Sequence, residues 1–285
     1  MNGSNLRNVG HAVLLALCLT LFSSAAHAES YSFGVLPQRN VGLSTQFWSP
    51  ILEYVHRKTG ITLVLKLAKT SLESAEAIEK GEYDFVYANT IFLPQMAKSN
   101  YQVILRPRDE VIKGQIVTLE DSPIKSLSDL EGKAVGFPSP TAFVSYAVPM
   151  DQLLHQEITV TPFFGVTQET IMNQLKAGKL PAIGVNHLLM RAYASRENVK
   201  YRVLWESAPF RNLPIAVHPR IPKQVLNAVR EAIDTMEIDP EGMKILEHTA
   251  HIVGQNLPYG FRTSVQEDYK SYIEFYRTSL VKGAK

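Results

Sequence analysis

Apolar and polar positions along the chain switch repeatedly between a two-residue and a three-to-four-residue period. Tyr31-Ser32-Phe33-Gly34-Val35 alternates and stops at Pro37, the pattern of a short strand opening into the loop Gln38-Arg39-Asn40. Phe47, Ile51, Leu52 and Val55 then recur at helical spacing until Thr59-Gly60. Ile61 to Leu67 reads as a second strand, Leu72 to Lys80 as a helix closed by Gly81, and Tyr83 to Tyr87 as a third strand. Ile91 to Ala97 predicts a short helix and Val103 to Leu105 another strand. Repeated βαβ units imply a parallel sheet with helices on both faces.

The alternation starts again at Gln115 to Leu119. A small helix is predicted at Ser126 to Leu130, and a strand at Lys133 to Phe137. Ser139 then stands as a helix N-cap, with Pro140 as the first helical residue of a helix reaching about Leu153. Ile158 to Val160, a helix from Gln168 to Lys176 closed by Gly178, the strand Ala182 to Val185, a helix from Leu188 to Ala194 and the strand Tyr201 to Trp205 complete a second series resembling the first. Leu213 to Val217 is a last strand. Helical patterns follow over Pro222 to Met236, Pro240 to Thr249 and Ser264 to Leu280. Such a helical tail most simply packs back on the first series, so the chain crosses between two lobes near residues 110 to 116 and 210 to 217.

The Ser139 segment is the first candidate for chemistry. A helix starting at the carboxyl end of a strand aims free N–H groups and the positive end of its dipole at one point. The hydroxyls of Ser139 and Thr141 would join them there, where a small anion fits; the alternative is a hydroxyl that only caps the helix.

Composition narrows the setting. Residues 1–28 carry Arg7 and His11 ahead of an apolar run from Ala12 to Phe22, with Ala26-His27-Ala28 as a small-x-small cleavage site, which predicts a cleavable secretory signal peptide and a mature chain from Glu29. The only cysteine, Cys18, follows Leu17 within that run, whereas a lipid-anchoring site wants a small residue there, so an unlipidated exported protein is expected. Removing Arg7 from the 29 basic residues leaves 28, against 27 acidic ones. Near-neutrality without a basic block argues against nucleic-acid or anionic-membrane binding.

The resemblance that these residues carry lies in four runs: Tyr83-Asp84-Phe85-Val86-Tyr87-Ala88-Asn89, Lys113-Gly114-Gln115-Ile116-Val117, Asp121-Ser122-Pro123-Ile124 continuing through Leu130-Glu131-Gly132-Lys133, and Phe137-Pro138-Ser139-Pro140-Thr141-Ala142-Phe143. Their order and spacing resemble the phosphate/phosphite/phosphonate-binding proteins of ABC transporters, over about residues 31 to 265. The Asp-Ser-Pro-Ile run marks two-lobed binding proteins generally; the first and last runs point to the phosphonate-type branch.

The resemblance implies a two-lobed α/β periplasmic binding protein of type II, each lobe a sheet flanked by helices, joined by two hinge crossings. The implied division is 29–112 for the first lobe, 113–213 for the second and 214–285 for the return to the first. Carried over by position, Ser139, Thr141 and Ala142 would contact the anion, and Tyr87 and Asn89 would line the first-lobe wall. Ser71 would stand where better-known members place an aromatic residue. Gln168, Glu169 and Asn186 lie at cleft-facing element ends, and Arg39 is a candidate to neutralise an anion. Two departures stand out: Pro140 interrupts the usual run of hydroxyl residues, and an aromatic is missing at position 71.

The expected protein is a periplasmic, monomeric solute-binding protein without cofactor, metal or catalytic residues. It would capture a small oxyanion and deliver it to an ABC permease; the alternatives are a partner sensor kinase in the membrane, or a ligand without phosphorus. No serine-hydrolase, zinc-protease, Walker or dinucleotide motif favours an enzyme. His248 and His251, spaced i and i+3, have no further candidate metal ligand nearby.

Overall fold

The computed structural model describes residues 30–108 and 111–281. The signal peptide expected at 1–28, Cys18 and the mature terminus at Glu29 lie outside them.

Strand β1 (Ser30–Val35) is followed by helix α1 (Val41–Thr59), β2 (Thr62–Leu67), α2 (Ser71–Glu79) and β3 (Phe85–Tyr87). Asn40 caps α1 by accepting from the Leu43 N–H, and Gly60, at φ 73°, closes it in the left-handed conformation that glycine adopts without strain. The face of α1 that the periodicity marked is the buried one: Phe47, Trp48, Ile51, Leu52 and Val55 are all at most 4 % exposed. Each such side chain contributes about 1.5–3 kcal/mol by leaving water. Trp48 lies at the centre, its ring 4.9 Å from that of Phe33 and 4.8 Å from that of Tyr87.

Two short 3-10 turns, Thr90–Phe92 and Pro94–Ser99, replace the single helix expected after β3. Pro94 has no N–H to continue a helical ladder from the first turn. The chain goes on through β4 (Gln102–Pro107), β5 (Val111–Ile112), β6 (Gly114–Leu119) and β7 (Ala134–Phe137) to α3 (Val148–His155). Then come β8 (Thr161–Phe164), α4 (Gln168–Lys176), β9 (Ala182–Asn186), α5 (His187–Glu197) and β10 (Tyr201–Glu206). The return consists of β11 (Phe210–Arg211), β12 (Ile215–Val217), α6 (Lys223–Asp234), α7 (Pro240–Ile252), β13 (Phe261–Thr263) and α8 (Lys270–Thr278).

These strands make a six-stranded sheet in the order β13-β4-β12-β3-β1-β2, a five-stranded sheet in the order β10-β6-β9-β7-β8, and the pair β11-β5 between them. The chain passes from the first sheet to the second through β5 and comes back through β11, and the two pair antiparallel, Phe210 opposite Ile112. Both main sheets are mixed, not parallel as the βαβ units predict. Neighbouring strands pair parallel only among β1, β2 and β3 in one sheet and among β7, β8 and β9 in the other. The returning strand β12 runs antiparallel to both β3 and β4, and β6 antiparallel to β9 and β10. A strand arriving from the other lobe enters its sheet from the hinge end, which reverses its direction.

Three further expectations are corrected. The strand placed at Ile158 to Val160 lies at Thr161–Phe164, because Glu157 at φ 57° and the bond from Ile158 N–H to Leu153 O wind the end of α3 past it. The helix expected over Ser264 to Leu280 is a 3-10 turn, Gln266–Tyr269, followed by α8. The helix expected from Ser139 begins only at Phe143, as described below. No helix among the described residues is long and apolar enough to cross a membrane.

Candidate functional site

A cleft with about 400 Å³ of empty space, its open mouth included, lies between the carboxyl ends of the strands of the two main sheets. On the first-lobe side it is walled by Leu36, Pro37 and Gln38 after β1, Ser71 at the start of α2 and Asn89 after β3. Ile112 of the hinge pair forms its floor. The second-lobe wall is Pro138, the segment Thr141 to Ser145, and Gln168 at the start of α4.

That second-lobe segment is built differently from the expected capped helix. The Ser139 hydroxyl accepts from the N–H of Thr141 at 3.2 Å and lies 2.9 Å from the Thr141 hydroxyl, while Ala142 N–H bonds Ser139 O at 3.2 Å. Ser139 therefore closes a local turn. As the residue before Pro140 it is biased away from helical backbone, and its hydroxyl bonds N–H two residues on. Helical structure starts with a wide π turn, Phe143–Ala147, whose first internal bond runs from Ala147 N–H to Ala142 O at 3.0 Å. The N–H groups of Phe143, Val144, Ser145 and Tyr146 consequently precede the helical ladder and have no acceptor within it.

The wide turn lies directly on the five-stranded sheet because two strand positions lack a side chain. A Cβ on Gly114 would come 2.2 Å from Val144 O, and one on Gly184 would come 2.5 Å from Ser145 O. From the other side Phe143 anchors the turn to the C-terminal helix, its ring 4.1 Å from that of Tyr272 and 5.1 Å from that of Phe275. The turn is thus held between the lobes, next to the hinge strand that carries Phe210, 4.8 Å away.

Three helical starts converge on the cleft: α2 at Ser71, the wide turn at Phe143 and α4 at Gln168. Thr70 and Thr167 cap α2 and α4, accepting from Glu73 N–H and Thr170 N–H. Their caps use one donor each, and each helix start carries a partial positive charge of about half a unit. Among the described residues none that lines the cleft bears a formal charge. Its polar side chains are Gln38, Ser71, Asn89, Thr141, Ser145 and Gln168, all neutral. Two titratable groups near the cleft are shifted toward their neutral forms by burial. Burial pushes the Tyr272 phenol up. Burial likewise lowers the His187 imidazole, whose Nδ1 accepts the Lys113 N–H at 3.0 Å beside the hinge. Such an environment suits an oxyanion held by dipoles and hydroxyls.

Of the ten residues singled out in the sequence, the cleft brings together Ser71, Asn89, Thr141, Ala142 and Gln168. Asn89 makes no side-chain cap bond to the turn that follows it; its amide lies in the cleft wall, within hydrogen-bonding reach of the Tyr272 phenol. The Gln168 amide is engaged on both sides: Nε2 donates to Ser145 Oγ, and Oε1 accepts from Asn186 N–H at 3.4 Å. Ser139 is buried behind Thr141. Tyr87 is a core residue against Trp48, and Asn186 caps α5 through Leu188 N–H at 2.9 Å. Glu169 and Arg39 face a second, outer cavity, where the Arg39 guanidinium lies 6.0 Å from the Phe47 ring centre. Gln38 and Ser145 were missed. Gln38 is in the same short loop as Arg39, where charge drew the choice to the arginine, and Ser145 lies inside what reads as a helix body. No group of three or more histidine, cysteine, aspartate or glutamate side chains among the described residues is placed to hold a metal ion.

Residues 33–269 match the family model described as the periplasmic substrate-binding protein of phosphonate ABC transporters. The binding-protein component of an ABC phosphonate transporter from Pseudomonas aeruginosa superposes with a TM-score of 0.75 at 13 % identity, covering 87 % of this chain and 85 % of that one. PhnD1 from Prochlorococcus marinus, solved in complex with methylphosphonate, gives 0.74 at 12 % identity over 88 % of this chain and 98 % of its own. A protein of Xanthomonas citri bound to ATP gives 0.65 at 15 % identity over 86 % and 95 %. At such identities the structural likeness establishes the fold. Comparison with curated proteins finds no match.

Proposed function

The chain belongs to the phosphonate-type periplasmic substrate-binding proteins of ABC transporters, and on that premise we infer that its interlobe cleft captures a compact phosphorus oxyanion for delivery to a membrane permease. The observation that carries this reading is the convergence of three helical starts and six neutral polar side chains, from both lobes, on one small cleft without charged walls. Dipoles and hydroxyls meet the negative charge, and the modest space favours phosphite, phosphate or a phosphonate with a short substituent. The methylphosphonate in PhnD1 sets the size class to test first.

Thr141, Ser71 and Asn89 are the side chains assigned to the ligand, together with the N–H groups of Phe143, Val144 and Ser145. Ala142 contributes backbone wall, and Ser139 and Gln168 hold the others in place. The lobes divide at 29–112, 113–213 and 214–285. Ligand contacting both walls stabilises the closed form by its differential affinity, with no covalent step. The protein acts as a monomer, is exported by its signal peptide and turns nothing over.

A thermal-shift screen of the mature protein tests this. Methylphosphonate, phosphite or phosphate at a hundred times its dissociation constant should stabilise by about 2.7 kcal/mol, which for a chain of this size raises Tm by about 5–10 °C. A shift with sulfate or a carboxylate, and none with any phosphorus oxyanion, contradicts the reading.

A further inference from the structure

Glu169, which the sequence places at a cleft-facing helix start, lines the outer cavity in the structure. It follows Gln168 at the start of α4 in the second lobe, yet its carboxylate points out of the cleft to the start of α1 in the first. There Oε2 accepts from Asn40 Nδ2 at 3.1 Å and from the Asn40 backbone N–H at 3.3 Å. The other oxygen, Oε1, accepts from Arg196 Nη2 at 2.6 Å. Arg196 belongs to α5 in the same lobe as Glu169; its guanidinium also bonds Glu197 and lies 5.5 Å from the Tyr193 ring centre. Asn40 is used at both ends of its side chain, for its Oδ1 caps α1 by accepting from Leu43 N–H at 2.9 Å. One lobe thus presents a carboxylate, braced by an arginine, to the positive end of a 19-residue helix of the other.

The contact is joined to the cleft by adjacency along the chain on both sides. Gln38 lines the cleft two residues before Asn40, and Gln168 lines it one residue before Glu169. The outer cavity between them, about 330 Å³ of empty space, is lined by Gln38, Arg39, Glu169 and Arg196. A displacement of either loop that opens the cleft also separates Asn40 from Glu169.

We propose that Glu169 is a positioning residue that latches the cleft shut, setting the balance of open and closed forms through Asn40 without touching the ligand. The proposal rests on the reading of the cleft as the ligand site. Because only the closed form holds ligand on both walls, apparent affinity scales with the closed fraction, and a latch changes every ligand's affinity by the same factor. A direct contact would change it differently for ligands of different shape.

The test uses the full mature protein with spin labels on the exposed positions Lys66 and Lys179, one on each lobe, introduced as Lys66→Cys and Lys179→Cys. Glu169→Ala should lengthen the mean interlobe distance in the ligand-free protein. It should weaken methylphosphonate and phosphite by one common factor, roughly three- to thirty-fold, expressed as faster dissociation. Asn40→Ser keeps a good helix cap while deleting the Nδ2 donor, and should give a smaller shift in the same direction; it also serves if Glu169→Ala does not fold. An unchanged interlobe distance in both variants overturns the proposal, as does a loss confined to one anion. A lowered Tm with unaltered distance and affinity overturns it as well, because that outcome marks Glu169 as a mere stabiliser of α4. If the unmodified protein binds none of the anions, the ligand reading fails, and the ligand-free distance still decides the latch.

Discussion

Ser139 and Thr141 are two residues apart with their hydroxyls 2.9 Å from each other, and the fold gives them different tasks. Thr141 lines the cleft, and on the proposed reading its hydroxyl donates to the bound anion. A hydrogen bond to a charged group contributes about 1.5–3 kcal/mol, so Thr141→Ala should weaken methylphosphonate roughly ten-fold to a hundred-fold. Ser139, at 4 % exposure, holds the turn; Ser139→Ala should cost about 1 kcal/mol of folding stability with a much smaller loss of affinity. Calorimetric titration and urea unfolding of both variants check this, and equal affinity losses would contradict the division of labour. The sequence identifies the pair, because hydroxyls flanking a proline after a strand form a local signal. It does not reveal which of the two faces the ligand. That depends on Pro140 holding Ser139 out of the helix and on Phe143 being fixed by α8, more than 120 residues away along the chain. Arg39 and Glu169 illustrate a related point: a charge suggests an anion site, whereas in the structure these charges line the outer cavity and neutral groups line the inner one.

At the scale of elements, long periodic helices are legible almost to the residue. The α4 expectation coincides with Gln168–Lys176, and glycines close α1 at Gly60 and follow α2 and α4 at Gly81 and Gly178 with φ between 66° and 73°. What the pattern does not show is a change of helical pitch. The π turn at Phe143–Ala147 has the apolar spacing of a helix and is created by its surroundings: the bare positions Gly114 and Gly184 beneath it and the aromatic cluster above. Gly184→Ala tests the lower half of that account. Its Cβ would meet Ser145 O at 2.5 Å and the Phe137 ring at 2.6 Å, and neither backbone nor buried ring yields cheaply. Overpacking of this kind costs about 1–3 kcal/mol, and because the displaced turn carries the N–H groups assigned to the ligand, affinity should fall along with stability. A variant that binds methylphosphonate like the unmodified protein would show that the turn does not form the site.

On the scale of the whole molecule, the alternation of strand and helix discloses two lobes and a chain that crosses between them, while strand direction stays hidden. Hydrophobic period gives element type; the antiparallel entry of β6 and β12 follows from the hinge crossings, a property of topology alone. The same crossings place the cleft. Every cleft-lining residue of the first lobe follows a strand or opens a helix of the six-stranded half, and those of the second lobe do so in the five-stranded half, with Ile112 between. The central claim is that this cleft holds an anion on neutral donors from both lobes. Asn89→Asp puts a carboxylate into the first-lobe wall at almost unchanged volume. Two like charges about 4 Å apart repel by about 4 kcal/mol at the effective dielectric of a protein surface. Calorimetric titration of methylphosphonate at pH 7 into the unmodified protein and Asn89→Asp, with Tm confirming that both are folded, should show at least about a hundred-fold weaker binding to the variant. Equal or tighter binding to Asn89→Asp would contradict the account.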